Sequence, residues 1–197
     1  MARLDFGSIF GGSDPVELEL GSGDGSFLAQ YAALHPERSF LGVERLLGRL
    51  RKLGRKADRA GLTNLRSLRL EASYVLEWMI PPRSLAALHV YFPDPWPKRR
   101  HWKRRLINSE FVRHAATALK PGGVVYLRTD NAPYFEQMVE VFGASTAFAV
   151  TETPAELAAV VTDFERDFNA SGIPTLRAAY RVQTTVALAN DPPTSAS

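Results

Sequence analysis

The 197-residue chain contains no cysteine, which excludes disulfide frameworks, thiolate-bound metals and a cysteine nucleophile. Its four histidines, His35, His89, His101 and His114, stand at no metal-ligand spacing, so no metal site is expected. There is no window of about 18 apolar residues to span a bilayer. Residues Met1 to Asp14 lack the basic start and apolar run of a secretory signal. These absences lead to the expectation of a cytoplasmic protein without a membrane partner.

Acid is also absent where base is densest. Lys98 to Arg105 contains six Lys or Arg and no Asp or Glu, and outside it 21 acidic residues outnumber 18 basic ones. A net charge of only +3 therefore hides a focused cationic patch, the electrostatic mark of a polyanion partner.

What is present reads as one α/β domain over residues 15–189, with an N-terminal segment at 1–14 and a disordered tail at 190–197. Apolar runs ending in turn signals predict strands at Val16 to Leu20, Ser39 to Glu44, Leu65 to Leu70, Leu85 to Phe92, Val124 to Arg128, Ala147 to Thr151 and Tyr180 to Ala189. Helical spacing predicts helices at Ser26 to Leu34, Leu46 to Ala60, Tyr74 to Met79, Asn108 to Leu119 and Ala132 to Phe142. Strand–helix alternation implies a mostly parallel seven-stranded sheet with helices on both faces, and the polar–apolar alternation of the last strand suits an antiparallel partner. The helix from Leu46 carries Arg45, Arg49, Lys52, Lys56 and Arg59 along one stripe, which must face water or a partner.

The first strand hands over to Glu19-Leu20-Gly21-Ser22-Gly23-Asp24-Gly25. Glycines there let a ligand approach the backbone closely. The spacing differs from the Gly-x-Gly-x-x-Gly that seats a pyrophosphate on a helix end. Glu19 would repel phosphates yet attract an ammonium, as on the methionine part of S-adenosylmethionine. Glu44, ending the second strand, can accept from both ribose hydroxyls. Glu71 after the third strand can accept from an adenine amino group, with small Ala72 leaving room for the ring. Singly, these features are ordinary turns or solvated strand ends; at the ends of successive strands they converge on the ligand side of a doubly wound sheet.

Tyr91-Phe92-Pro93-Asp94-Pro95-Trp96-Pro97 follows the fourth strand, and two prolines stiffen the loop around one acid. A fixed carboxylate can accept from N1 and N2 of guanine together, a donor pair that the other bases lack. Trp102, in the basic run, can stack on an exposed base.

In Phe92-Pro93-Asp94-Pro95-Trp96, the Lys98-to-Arg105 run, Leu119-Lys120-Pro121-Gly122-Gly123, Thr129-Asp130 and Thr162-Asp163-Phe164-Glu165, the chain closely resembles the bacterial tRNA (guanine-N7-)-methyltransferase family, TrmB, over about Val16 to Arg181. The resemblance implies a class I S-adenosylmethionine-dependent (Rossmann-like) methyltransferase fold. It also implies methylation at N7 of guanine 46 in the tRNA variable loop, with S-adenosylhomocysteine as product. It places Glu19, Gly21, Gly23, Glu44, Glu71, Ala72 and Asp94 at the cofactor, with Asp94 as the catalytic residue. It assigns Lys98, Asp130, Thr162, Asp163, Phe164 and Glu165 to substrate, and Arg100, His101, Trp102, Lys103, Arg104 and Arg105 to RNA contact. Two positions depart from the family pattern: Glu71-Ala72 stands where the family usually has Asp-Ala, and Pro97 where it commonly has His. The expected partner is tRNA, bound by a monomer or homodimer needing no second protein. Two rivals remain open at this level: a methyltransferase acting on a small molecule or protein, and a noncatalytic RNA-binding protein with a decayed cofactor pocket.

Overall fold

The computed structural model describes residues 2–183. Its seven strands are β1 (Val16–Leu20), β2 (Ser39–Val43), β3 (Leu65–Leu68), β4 (Leu85–Tyr91), β5 (Leu119–Thr129), β6 (Phe148–Thr151) and β7 (Leu176–Val182). They form one sheet in the order β3-β2-β1-β4-β5-β7-β6. The first five run parallel, and β7 inserts between β5 and β6 antiparallel to both. The helices are α1 (Phe6–Phe10), α2 (Leu28–Leu34), α3 (Leu47–Arg59), α4 (Ala72–Tyr74, continued by a π-helical turn at Val75–Met79), α5 (Ser109–Ala118), α6 (Ala132–Gly143), α7 (Ala155–Ala159) and α8 (Asp163–Ala170). Among the described residues no helix is long and apolar enough to cross a membrane.

The two faces of the sheet are chemically unlike, and the reason is the period of two along a strand. In β1, Val16, Leu18 and Leu20 enter an apolar core with Val75, Phe111, Val112, Ala115, Met138 and Phe142 from α5, α6 and the π-turn. Glu17 and Glu19 alternate onto the other face, where Phe27, Tyr31, Leu53 and Leu157 from α2, α3 and α7 pack. Register places His89 beside Glu19 and Tyr126, and Tyr91 beside Arg128. Buried ionisable groups therefore run across the middle of the sheet. Glu17 is satisfied there: His89 Nε2 lies 2.8 Å from one oxygen and Arg38 donates to the other at 3.0 Å. Burial alone would raise the Glu17 pKa, but these partners hold it below the usual carboxylate value.

Several elements differ from the sequence expectation. Residues 1–14 contain α1, whose Asp5 cap accepts from Ser8 N at 3.2 Å and whose Phe6 and Phe10 pack on the core. Thr162 to Glu165, which reads as a loop from residue type alone, starts α8, with the Thr162 hydroxyl accepting from Glu165 N. The basic run folds at Arg99–Arg104 into a 3₁₀ turn. Pairing between β4 and β5 begins at Leu85 with Leu119 and shifts register before Ala87 meets Val124, so the Pro121–Gly123 turn bulges from within the strand. The last strand starts at Leu176, ahead of the expected Tyr180. Its expected continuation to Ala189 and the tail at 190–197 lie outside the described residues.

Strand order reverses between neighbouring β1 and β4, so the loops leaving these two strands diverge and open a crevice at their carboxyl ends, where ligands bind in such sheets.

Candidate cofactor and nucleic-acid site

The crevice holds two adjoining lobes of about 360 Å³ each, within the ~300–1,000 Å³ range of small-molecule sites. One is lined by Glu44, Arg45, Arg49, Leu70, Glu71, Ala72, Trp96 and Arg104; the other by Glu19, Ser22, Gly23, Lys52, Thr162, Asp163 and Phe164. Gly21, Arg49, Tyr91, Phe92 and Asp94 line both, so Asp94 stands at their junction.

The glycine loop is built for its place. Gly25, at φ 77°, would put a Cβ 2.8 Å from Leu53, so only glycine lets α3 pack this closely. Gly21 N and Ser22 N donate to Val43 O at 2.8 and 2.9 Å, tying the loop to the end of β2. Open space beside Gly21 leaves its backbone accessible to a ligand. Glu44 secures both flanks, accepting from Gly23 N at 3.1 Å and Leu46 N at 2.6 Å. A carboxylate offers about four acceptor positions, so Glu44 keeps capacity for a diol. Glu71 caps α4 through Oε2, accepting from Tyr74 N at 2.9 Å and from the Ser73 hydroxyl.

Glu19 differs from the other acids. It is 3% exposed, and among the described residues its Oε2 has no hydrogen-bond partner. Burial pushes its pKa up to about 8, with Arg128 opposing and Asp24 and Glu44 reinforcing the rise. An orphaned buried acceptor at a cavity wall fits a cationic donor group.

Asp94 is exposed at the rim, between Phe92 at φ 50° and Trp96 at φ 45°. Positive φ at bulky residues is strained, and such strain persists only where the surroundings enforce it. Phe92 N donates to Arg128 O at 2.8 Å, Arg105 Nε donates to Pro95 O at 2.8 Å, and the Arg104 guanidinium covers the Trp96 ring at 5.1 Å. The acid is thus fixed by tertiary contacts as well as by its prolines.

The structure brings Glu19, Gly21, Gly23, Glu44, Glu71, Ala72, Asp94, Arg104, Thr162, Asp163 and Phe164 to the crevice. Lys98, Arg100 and Lys103 lie exposed on the adjoining 3₁₀ segment, with His101 half-buried against Trp96. Asp130 is half-buried beyond β5 and lines neither lobe. Three of the expected substrate residues make contacts within the fold. Arg105 is 2% exposed, its Nη1 donating to Gln137 Oε1 at 2.8 Å and its guanidinium lying over Tyr134; it holds the loop and is not placed to meet RNA. Trp102 is half-buried and carries the Arg105 guanidinium at 4.4 Å and that of Arg99 at 5.6 Å, so its ring is engaged within the loop. Glu165 is 0% exposed and bound by Arg128 and Arg177, which makes it a buried counter-ion behind the pocket wall.

A family model described as "Putative methyltransferase" matches residues 13–178. The chain belongs to that family. Relatives include a tRNA (guanine-N(7)-)-methyltransferase of Streptomyces avermitilis, 46% identical over 149 residues that make up 76% of this chain and 51% of that protein. Another, from Burkholderia cenocepacia, is 44% identical over 165 residues, 82% of this chain and 65% of the relative. The chain thus spans between half and two thirds of the length of these curated relatives. Among solved structures, the 16S rRNA methyltransferase KamB superposes with a TM-score of 0.68 at 20% identity, covering 92% of this chain and 94% of KamB. A 30S ribosomal A1408 methyltransferase from an uncultured bacterium gives 0.63 at 16% identity, covering 92% and 95%. At such identities the likeness is one of fold, the class I S-adenosylmethionine-dependent methyltransferase fold.

Sequence reading did not single out Arg128, which the structure buries behind the crevice. Arg128 is 1% exposed, donates to Val160 O at 2.8 Å and to Glu165 at 3.0 Å, and covers the Tyr91 ring at 4.3 Å. The available signal was an arginine ending an otherwise apolar strand, since a buried charge there requires a partner.

Proposed function

We propose that this chain transfers the methyl group of S-adenosylmethionine to N7 of guanine 46 in the variable loop of tRNA. The observation that carries the reading is the unpartnered buried oxygen of Glu19, in a crevice whose rim is formed by the fixed Asp94 and the 55%-exposed Phe164. A nucleoside fits the lobe with Glu44 at the diol and Glu71 and Ala72 at the adenine. The ammonium of a methionine fits Glu19, and the glycine loop supplies close backbone approach.

When bound, the cofactor supplies an electrophilic methyl on a positively charged sulfur. Guanine N7 already has a free lone pair, so the protein needs no base to create the nucleophile. Its residues must orient and exclude. Asp94 accepts from guanine N1–H and N2–H, which selects the base and leaves N7, on the opposite side of the purine, free to face the methyl donor. Phe164, packed at 4.8 Å on Phe168 and at 6.0 Å on Phe92, offers an exposed ring for the purine. In-line positioning of two substrates is worth roughly 7–11 kcal/mol of barrier. As positive charge develops on the purine, the Asp94 carboxylate stabilises it more than the neutral ground state.

The same reading makes tRNA the partner of a cytoplasmic monomer or homodimer, with Lys98, Arg100, Lys103 and Arg104 meeting phosphates. The test is incubation with unmodified tRNA and labelled S-adenosylmethionine, followed by nucleoside analysis. Label in 7-methylguanosine at position 46 is expected; label elsewhere, or none, refutes the assignment.

A further inference from the structure

Helix α3 carries more positive charge than a helix of its kind favours. From Arg45 to Arg59 there are seven Lys or Arg and one acid, Asp58. Its first turn has no acidic residue, although the dipole there favours carboxylates, and Arg49, Arg51 and Lys52 crowd that end. Within the helix like charges recur four apart at Arg51 and Arg55, Lys52 and Lys56, and Arg55 and Arg59, each pair opposing it. Lys56 is neutralised, with its Nζ 2.9 Å from Asp24 and 3.7 Å from Asp163. Among the described residues, Arg45, Arg49, Arg51, Lys52, Arg55 and Arg59 have no carboxylate within ion-pairing distance. A segment whose like charges are only partly offset, Lys52 and Lys56 by Asp24 and Arg45 by Glu71, points to a demand from outside the fold.

The location gives that demand a chemistry. Leu53 and Ala57 bury one side of α3 against the sheet and fix its orientation. Arg45 and Arg49 then line the nucleoside lobe, Arg49 and Lys52 the lobe beside it, and Arg59 extends the same stripe away from the crevice. Trp96 and Arg104 of the basic loop line the nucleoside lobe as well, so two cationic segments meet at one mouth. We propose that the exposed face of α3 is a second phosphate track, holding the RNA backbone at the same mouth as the Lys98–Arg104 segment. The inference rests on the RNA reading above and adds a contact surface to it.

The experiment measures the affinity of unmodified tRNA between 50 and 200 mM salt for the wild type and two variants, Arg55→Gln/Arg59→Gln and Arg49→Gln/Lys52→Gln. Calorimetry with S-adenosylhomocysteine and thermal melting accompany each. Removing one cation from a phosphate makes the log–log salt slope shallower by roughly 0.7–0.9, so each double substitution is expected to reduce it by about 1.4–1.8. Melting temperatures should hold or rise as like-charge repulsion is relieved; a fall marks arginines that stabilise the helix and counts against the proposal. Salt slopes equal to wild type in both variants overturn it. So does an effect of Arg49→Gln/Lys52→Gln confined to S-adenosylhomocysteine binding, which would assign that pair to the cofactor carboxylate. If the wild type itself binds tRNA without salt dependence, the RNA reading fails first, an outcome separable from failure of α3 alone.

Discussion

Replacing Glu19 by glutamine tests the cofactor pocket at its most unusual atom. Glu19 is a carboxyl whose pKa is raised by burial from 4.5 to about 8. The folded chain therefore holds this proton more tightly than the unfolded chain does, and the associated stability is complete below pH 4.5 and lost progressively as pH rises toward 8. At 1.36 kcal/mol per pKa unit the loss is roughly 5 kcal/mol above pH 8, and about 3 kcal/mol at pH 7. Glu19→Gln removes the titration, so the ligand-free variant should melt higher than wild type at pH 7.5, with the advantage vanishing near pH 4.5. A cationic ligand acts in the opposite direction, since an ammonium against the orphaned oxygen favours the carboxylate and expels its proton. Affinity for S-adenosylhomocysteine should therefore tighten by up to about tenfold per pH unit from pH 5.5 to 7.5 in the wild type, and stay nearly flat in Glu19→Gln. Calorimetry across that range, with melting curves of the free proteins, measures both effects. A wild-type affinity independent of pH, or a variant that keeps the wild-type slope, refutes the placement of a cation at Glu19.

Asp94→Ala should lower turnover on the order of 10²-fold while calorimetric affinity for S-adenosylhomocysteine changes little; wild-type turnover would remove Asp94 from the reaction. Within the basic run, Arg100→Ala/Lys103→Ala should make the tRNA salt slope shallower without lowering the melting temperature. Arg105→Ala should do the reverse, because Pro95 O and Gln137 Oε1 lose a charged donor, each such bond being worth roughly 1.5–3 kcal/mol. A wild-type melting temperature for Arg105→Ala would contradict its structural role. Glu165→Gln leaves Arg128 buried without its counter-ion, a change of about 3–5 kcal/mol; denaturant unfolding should show it, and an unchanged midpoint would show that the pair contributes nothing.

Sequence alone determined the order of the seven strands and of the helices from α2 to α6, though not α1, α7 or α8, because the apolar period and the glycine and proline stops are local properties of the chain. It also determined which strand ends carry acids, and so the acidic, glycine-lined character of the crevice. The proline-clamped Asp94 was legible for the same reason. What it left undecided were pairings between residues far apart in the chain. Arg105 looked like its basic neighbours until Gln137 and Tyr134, about thirty positions away, were seen to enclose it. Glu165 looked like a pocket acid until Arg128 and Arg177 were found to occupy both of its oxygens. Tertiary structure also decided that, among the described residues, Glu19 Oε2 and not its neighbour Glu17 goes without a hydrogen bond. Both alternate onto the same face of β1, but His89 and Arg38 reach only Glu17, and no local pattern encodes which buried acid lacks a hydrogen-bond partner among the described residues.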